Sequence, residues 1–432
     1  MAKTTINIIT LGCSKNKVDS EHLAALFPSN YYLVRHDSEK KSDIVIINTC
    51  GFIGDAKEES VDTILSFAEA KQIGELKKLY VMGCLSERYG DYLKKEIPEV
   101  DAYFGANAIE TIAQHIVKQS EIQFDQSKRK LSTPKHYAYL KISEGCDHKC
   151  AFCAIPLIRG KQQSVSIEAL VNEARILSKR GVKELILIAQ DLTYYGVDLY
   201  GKRAITQLVE ALSEIKEIEW IRLQYAYPNT FPDDLLQLMR TNAKVCKYID
   251  LPLQHINSVI LKAMKRGIDR QQTINFVRKV RKTVPEIAFR TTFIVGFPGE
   301  TEEVFEELCR FVRDMRFERV GVFAYSPEEG TAAFDLEDVI PDEVKQERVA
   351  VLMEIQQQIA LEINESRVGT IEKVLIDRVE GDFYVGRTQF DSPEVDNEIL
   401  IPIENSRLVI GQFVDARIVK ADFFDCEARL LS

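Results

Sequence analysis

A chain of 432 residues with 45% hydrophobic and 28% charged residues has the composition of a folded globular protein of about three domains, which excludes a disordered or fibrous chain. Its net charge of −10 argues against a generic nucleic-acid binder, since Lys and Arg on phosphates supply most non-specific affinity. Nine cysteines are too sparse for a disulfide scaffold, no apolar run reaches the ~18 residues of a membrane span, and residues 1–10 lack a signal-peptide pattern, so a cytoplasmic protein with reduced thiols is expected.

Residues 1–122 alternate between strand patterns (6–11, 44–48, 79–82 and a short 102–104) and helical patterns (18–26, 56–70, 87–95, 108–117), which predicts an N-terminal parallel α/β domain. Cys13, Cys50 and Cys84 fall at the ends of its first three strands, each beside a glycine (Gly12, Gly51, Gly83) that admits close backbone approach to a ligand. In an open parallel sheet the carboxyl ends of the strands form the ligand crevice, so the three thiols are expected to converge there. The bland alternative is three buried structural cysteines.

A polar connector over 121–134 leads to a second domain, 132–366. Strands are expected over 139–143, 184–189, 220–225, 248–253, 289–295 and 319–324, with helices between them, which predicts an open (β/α)6-type barrel. After its first strand comes Gly145-Cys146-Asp147-His148-Lys149-Cys150-Ala151-Phe152-Cys153. Three soft thiolates on one short loop suit three corners of a 4Fe–4S cluster and leave the fourth iron open to a chelating ligand. The alternative is a zinc loop completed by His148, for which no second cysteine knuckle exists. A long helix is expected over 342–366, and 367–432 alternates as a small antiparallel β-barrel. Residues 368–432 hold 13 Asp or Glu against 7 Lys or Arg, the wrong sign for an RNA-binding barrel. Cys246, Cys309 and Cys426 are expected in packing roles.

Over nearly its whole length the chain resembles the radical methylthiotransferases, which join a three-cysteine domain, a radical S-adenosylmethionine (SAM) barrel and a TRAM domain. Segments 11–21, 48–52, 82–85, 144–156 and 296–301, with Arg159-Gly160, carry the likeness. Segments 146–156, 190–196 and 251–255 are most similar to the branch that modifies an aspartate of small-subunit ribosomal protein S-twelve, and the acidic last domain agrees, since ribosomal proteins are basic. The other branch modifies adenosine in transfer RNA. A non-catalytic ribosome-associated iron–sulfur protein is the reading from another class.

The resemblance implies two 4Fe–4S clusters, one on the catalytic Cys146, Cys150 and Cys153 and an auxiliary one on Cys13, Cys50 and Cys84, with SAM cleaved to a radical that takes hydrogen from the aspartate β-carbon. It implies a partner in S-twelve, free or in the small subunit, a reductant such as flavodoxin or ferredoxin, no transfer RNA substrate, no membrane, and a monomer. Phe152 is expected near the adenine or, equally, packing under its loop. Gly296 is expected either to admit the cofactor or to form a tight turn. The Gly-Gly-Glu of many radical SAM enzymes is replaced here by Ala189-Gln190-Asp191, and His255, Arg290, Tyr194 and Tyr195 are expected near the barrel mouth.

Overall fold

The computed structural model describes residues 3–119, 122–403 and 407–431. Glu121, the first residue of the expected connector, and the chain ends at Met1, Ala2 and Ser432 lie outside them.

In the first unit β1 (Thr4–Thr10), α1 (Ser14–Leu26), β2 (Tyr32–His36), β3 (Ile44–Thr49), α2 (Gly54–Gln72), β4 (Lys78–Gly83), α3 (Cys84–Glu96), β5 (Ala102–Tyr103) and α4 (Ile109–Val117) follow one another. The strands form one parallel sheet in the order β2-β1-β3-β4-β5. Because β3 is buried along its whole length, it reads as a continuous apolar run, as a central parallel strand must. The order reverses between β1 and β3, the point at which such sheets open a crevice at their carboxyl ends.

In the second unit β6 (Tyr137–Lys141), β9 (Glu184–Ile188), β10 (Trp220–Leu223), β11 (Val245–Asp250), β12 (Ala288–Val295) and β13 (Arg319–Ala324) form an open, all-parallel sheet in chain order. The two-residue strands β7 (Ser143–Glu144) and β8 (Gln163–Ser164) pair beneath the three-cysteine loop. Helices between the strands, from Ile167–Lys179 to Glu302–Met315, bury one apolar face each against the outside of the sheet. A 25-residue helix, Asp342–Ser366, then leads to a closed barrel of β14 (Ile371–Glu380), β15 (Phe383–Arg387), β16 (Ile399–Pro402), β17 (Phe413–Ala421) and β18 (Cys426–Leu430).

The inner face of the open barrel is polar where the small barrel meets it. Arg222 donates from Nε to Glu184 (2.8 Å) and from Nη1 to the carbonyl of Gln389 (2.8 Å), and Arg387 bridges Glu184 (2.8 Å) and Asp377 (2.6 Å). Arg319 holds Asp391 (2.6 Å), Tyr248 donates to Asp396 (2.7 Å), and Gln224 donates to Ser392 (2.6 Å). The segment 388–397 thus occupies the interior of the large barrel. Each buried charge is paired, which its desolvation requires.

Arg290, expected at the mouth, belongs to this junction: it is held by Asp250 (3.0 Å) and Asp396 (3.3 Å) near the start of β12, away from the carboxyl ends. Part of the acidity of the last domain is therefore spent inward, on Arg290 and Arg319. Between the first two units, buried Arg129 is bonded to both Glu21 and Glu173, tying α1 to the barrel's first helix.

Candidate active site

The six cysteines at the strand ends open into one cavity of about 340 Å³ between the first unit and the barrel. Cys13 precedes α1, Cys50 follows β3 and Cys84 opens α3. A β-carbon on Gly12, whose φ is +83°, would lie 2.7 Å from Cys50 Cβ, and one on Gly83, at φ +103°, 2.5 Å from the carbonyl oxygen of Thr49. These glycines let the cysteine loops approach one another closely.

Opposite them, the loop after β6 is closed by backbone bonds from Cys146 N to the Gly160 carbonyl (3.1 Å) and from Cys153 N to the Cys150 carbonyl (3.2 Å). Ala151 N reaches the Met264 carbonyl (3.0 Å) and the Ala151 carbonyl accepts from Ala333 N (2.8 Å), so both edges of the loop are pinned to the barrel top. Phe152 lines the cavity and also packs on the Phe297–Tyr325 cluster.

A guanidinium attends each triple. Arg159, carried by the barrel, donates from Nη2 to Cys84 Sγ (3.4 Å) and Asn16 Oδ1 (2.6 Å), and from Nη1 to Asp19 (2.8 Å) and Glu144 (3.1 Å). Arg266 donates to Cys150 Sγ (3.5 Å) and the Pro252 carbonyl (2.6 Å) and lies 4.2 Å above the Tyr227 ring. His148 stacks on the other contact of that ring, centroids 3.9 Å apart, with Nε2 bonded to Asp191 (2.6 Å). Its Nε2 is thereby engaged by Asp191. Among the described residues no three of His, Cys, Asp and Glu are arranged as ligands of a single ion.

Burial pushes the thiol of Cys84 up, those of Cys50 and Cys146 up to about 11, and that of Cys153 up to about 12. Such thiols are protonated near neutrality and become thiolates on binding a cation, with release of the proton. Two sets of three soft donors, one at three strand ends and one on a single loop, around a shared space and each with a cationic donor beside one sulfur, fit a pair of polynuclear iron–sulfur clusters in which every thiolate takes a different iron.

Gln190 follows β9 and lines the cavity; its amide donates to Glu144, leaving Oε1 buried without a partner. Glu144 is itself held down to about 2: burial raises it, but Lys141 and Arg159 outweigh burial.

Several expected residues lie elsewhere. Gly296 does not line the cavity; the space over its α-carbon is filled by Lys345, 2.3 Å from where a β-carbon would sit, so its φ of +73° serves a tight turn against the long helix. His255 is fully buried between Glu300 (3.2 Å) and Asn257 N (3.0 Å). Tyr195 is fully buried with its hydroxyl on the Val165 carbonyl (2.6 Å), and Tyr194 stands behind His148, 5.9 Å between centroids. Lys15, Tyr225, Tyr227, Gln254 and Arg266 line the cavity without having been singled out. The one signal available for them was position, just after a cysteine or a strand.

Three family models match the chain: the Radical SAM superfamily over 140–312, the Uncharacterized protein family UPF0004 over 5–105, and the TRAM domain over 368–431. A protein from Bacteroides thetaiotaomicron named ribosomal protein uS12 methylthiotransferase RimO is 54% identical over 434 residues, covering 100% of this chain and 99% of that one. A protein of the same name from Flavobacterium psychrophilum is 53% identical, covering 98% of each. Among solved structures, the radical S-adenosylmethionine methyltransferase TsrM from Kitasatospora setae aligns with a TM-score of 0.56 at 12% identity over 88% of this chain and 82% of its own. The cobalamin-dependent S-adenosylmethionine radical enzyme OxsB aligns with a TM-score of 0.51 at 14% identity over 82% and 56%. Identities this low carry the fold alone.

Proposed function

Since the chain belongs to the RimO family of ribosomal protein uS12 methylthiotransferases, we propose that it is a radical SAM transferase that inserts sulfur and a methyl group at the β-carbon of one aspartate of uS12, the S-twelve protein of the small subunit. The observation that carries this reading is the opening of six thiols from two domains into one cavity.

Cys146, Cys150 and Cys153 would hold the cluster that binds SAM, and Cys13, Cys50 and Cys84 the auxiliary cluster. When bound, SAM and the two 4Fe–4S clusters supply the electron, the radical hydrogen abstraction and the sulfur, chemistry that no side-chain base performs at an unactivated carbon. The chain's residues orient and enclose. Arg159 and Arg266 direct N–H donors at one sulfur of each triple, which holds that sulfur in place and offsets negative charge on it. Phe152 offers an aromatic face for the adenine, and Gln190 Oε1 is a free acceptor for a cationic N–H donor at the barrel side of the cavity. The three-domain division at 1–122, 132–366 and 367–432 assigns one cluster to each of the first two units and partner contact to the last.

Among the described residues no helix is long and apolar enough to cross a membrane. A cytoplasmic monomer reduced by a flavodoxin- or ferredoxin-type protein completes the proposal. Mass spectrometry of ribosomal proteins and digested transfer RNA from cells with and without the gene tests it: the methylthio increment is expected to vanish from an aspartate of uS12. Its loss from a transfer RNA adenosine instead would overturn the substrate assignment.

A further inference from the structure

We propose that Lys15 binds the side-chain carboxylate of the target aspartate and thereby selects an acidic residue in the cavity; this rests on the functional reading above. Lys15 is the second residue of α1, two positions after Cys13, and its side chain lines the cavity while the residue is 9% exposed. Its Nζ stands 3.2 Å from the centroid of the Tyr225 ring, on the barrel side. The ammonium therefore sits where the two domains face each other.

No carboxylate among the described residues pairs with it. Lys15 has no carboxylate within ion-pair distance, and no Asp or Glu lines the cavity. Of the other cationic groups on the wall, Arg159 is paired with Asp19 and Glu144, and Arg266 is held beside the other triple by the Pro252 carbonyl and Cys150, with its Nε unbonded. An ammonium facing a cavity with a ring face as its one partner among the described residues is under-compensated, because a ring replaces only part of the hydration it loses.

A cation in the first turn of a helix faces the positive end of the helix dipole, the unfavourable end. The ring beneath it is also held at a cost. Tyr225 has φ +65°, a conformation a bulky side chain adopts only when its surroundings impose it, and it is fixed by bonds from its own N to Asp250 Oδ2 (3.2 Å) and from Leu192 N to its carbonyl (3.0 Å). A strained aromatic platform and an unpaired ammonium in a cavity without acids together describe an anion site.

Its ligand class is a carboxylate, which two molecules could bring: the target aspartate or the methionyl end of SAM. The position favours the aspartate. Lys15 belongs to the loop of Cys13, on the sulfur-donating side, and a β-carbon that must meet both domains lies one bond from its carboxyl group.

The test is a double-mutant cycle on the anaerobically reconstituted enzyme, with uS12 carrying either Asp or Asn at the modified position. The wild type is expected to bind the Asp form about 30-fold more tightly than the Asn form, the scale of a desolvated charge pair. K15M and K15Q should bind both forms within about twofold, and K15R should restore part of the preference. Iron content and visible absorbance report that each variant retains its clusters. Two results overturn the inference: a full Asp preference in both K15M and K15Q, or a loss of SAM affinity in them with that preference intact, which would assign the ammonium to the cofactor's carboxylate. A wild type that methylthiolates uS12 yet binds Asp and Asn forms alike refutes the inference alone, whereas one that never modifies uS12 refutes the reading beneath it as well.

Discussion

Replacing Arg159 with methionine removes a side chain that ties the barrel to the Cys84 corner of the first domain. Its guanidinium, 5% exposed, satisfies Asp19, Glu144 and Asn16 and donates to Cys84 Sγ. Breaking a buried ion pair by deleting one partner costs about 3–5 kcal/mol, because the other charge stays buried. Here Lys141 remains bonded to both Asp19 and Glu144, and Gln190 to Glu144, so the low end of that range, about 3 kcal/mol, applies. At a urea slope of about 2 kcal/mol/M this lowers the transition that parts the first domain from the barrel by about 1.5 M. Far-UV circular dichroism with limited proteolysis follows that transition. The lost N–H donor also leaves the Cys84 sulfur more electron-rich, so the auxiliary cluster's midpoint potential should fall in a redox titration followed by electron paramagnetic resonance, while that of the Cys146 cluster stays. R159K should recover charge but not the forked geometry. A urea midpoint within about 0.3 M of wild type together with an unmoved auxiliary potential would refute the reasoning.

Cys150→Ala should keep the fold, drop the iron content from roughly eight to four atoms per chain, and abolish reductive SAM cleavage; retained cleavage would contradict the ligand assignment. Gly83→Ala places a β-carbon 2.5 Å from the Thr49 carbonyl at φ +103°, so it should destabilise the first domain by about 2 kcal/mol or more in the same urea titration and loosen Cys50 and Cys84 together. Glu184 is pushed up by burial but held below the usual range by Arg387 and Arg222, which outweigh it. A carboxylate with a depressed folded value contributes stability that is complete above its unfolded value of about 4.3 and is lost as pH falls through the folded value, so the junction with the last domain should hold at pH 6 and open below about pH 4. Trp220, the one tryptophan of the chain, packs edge-on against Phe413 of the last domain at 4.7 Å and reports that opening as a red shift in emission. R387M should produce the same shift at pH 7, and an emission indifferent to both would show that the ion pairs do not hold the junction.

The six cysteines were legible because their signal is local: a C-x3-C-x2-C run in one case and three strand-end positions in the other, with a parallel sheet bringing equivalent ends together. The long helix over 342–366 was legible for the same kind of reason, a stretch without breakers after a proline. Strand β2 was not, since only Val34 of Tyr32–His36 is buried and an edge strand of that kind has no apolar period. Strand-end position also fails to say which way a side chain turns. His255 stands beside the cavity residue Gln254 in sequence yet points into the core, as Tyr195 also does, and Arg290 lies near the start of its strand. Glu184, Arg222, Arg290 and Arg319 did carry a signal in their charge within apolar strands, which marks the polar interior that segment 388–397 fills. Lys15 and Arg266 acquire their meaning only once two domains close on one space, a fact no single stretch contains.

The distribution of charge then bears on how an acidic target could be chosen from a basic partner. The negative excess of residues 368–432 is smaller at the surface than the count suggests, because Asp391 and Asp396 neutralise Arg319 and Arg290 of the barrel. What remains outward includes the exposed Glu380, Asp382, Glu394, Asp415 and Asp422. The cavity wall carries Lys15, Arg159 and Arg266 and no carboxylate, Arg159 being itself paired with Asp19 and Glu144. An acidic exterior attracts a basic protein and repels a polyphosphate, while the Lys15 ammonium accepts a carboxylate brought into the cavity. A transfer RNA would meet repulsion at the last domain, and the neutral adenine base would gain nothing from the Lys15 ammonium in the cavity. Reversing the outer sign, by Asp→Lys changes at Asp382, Asp415 and Asp422, should therefore weaken uS12 association mainly through a slower, less salt-dependent on-rate while leaving the Asp-over-Asn preference at Lys15 intact, and a loss of that preference would show that the two layers of selection are not separate.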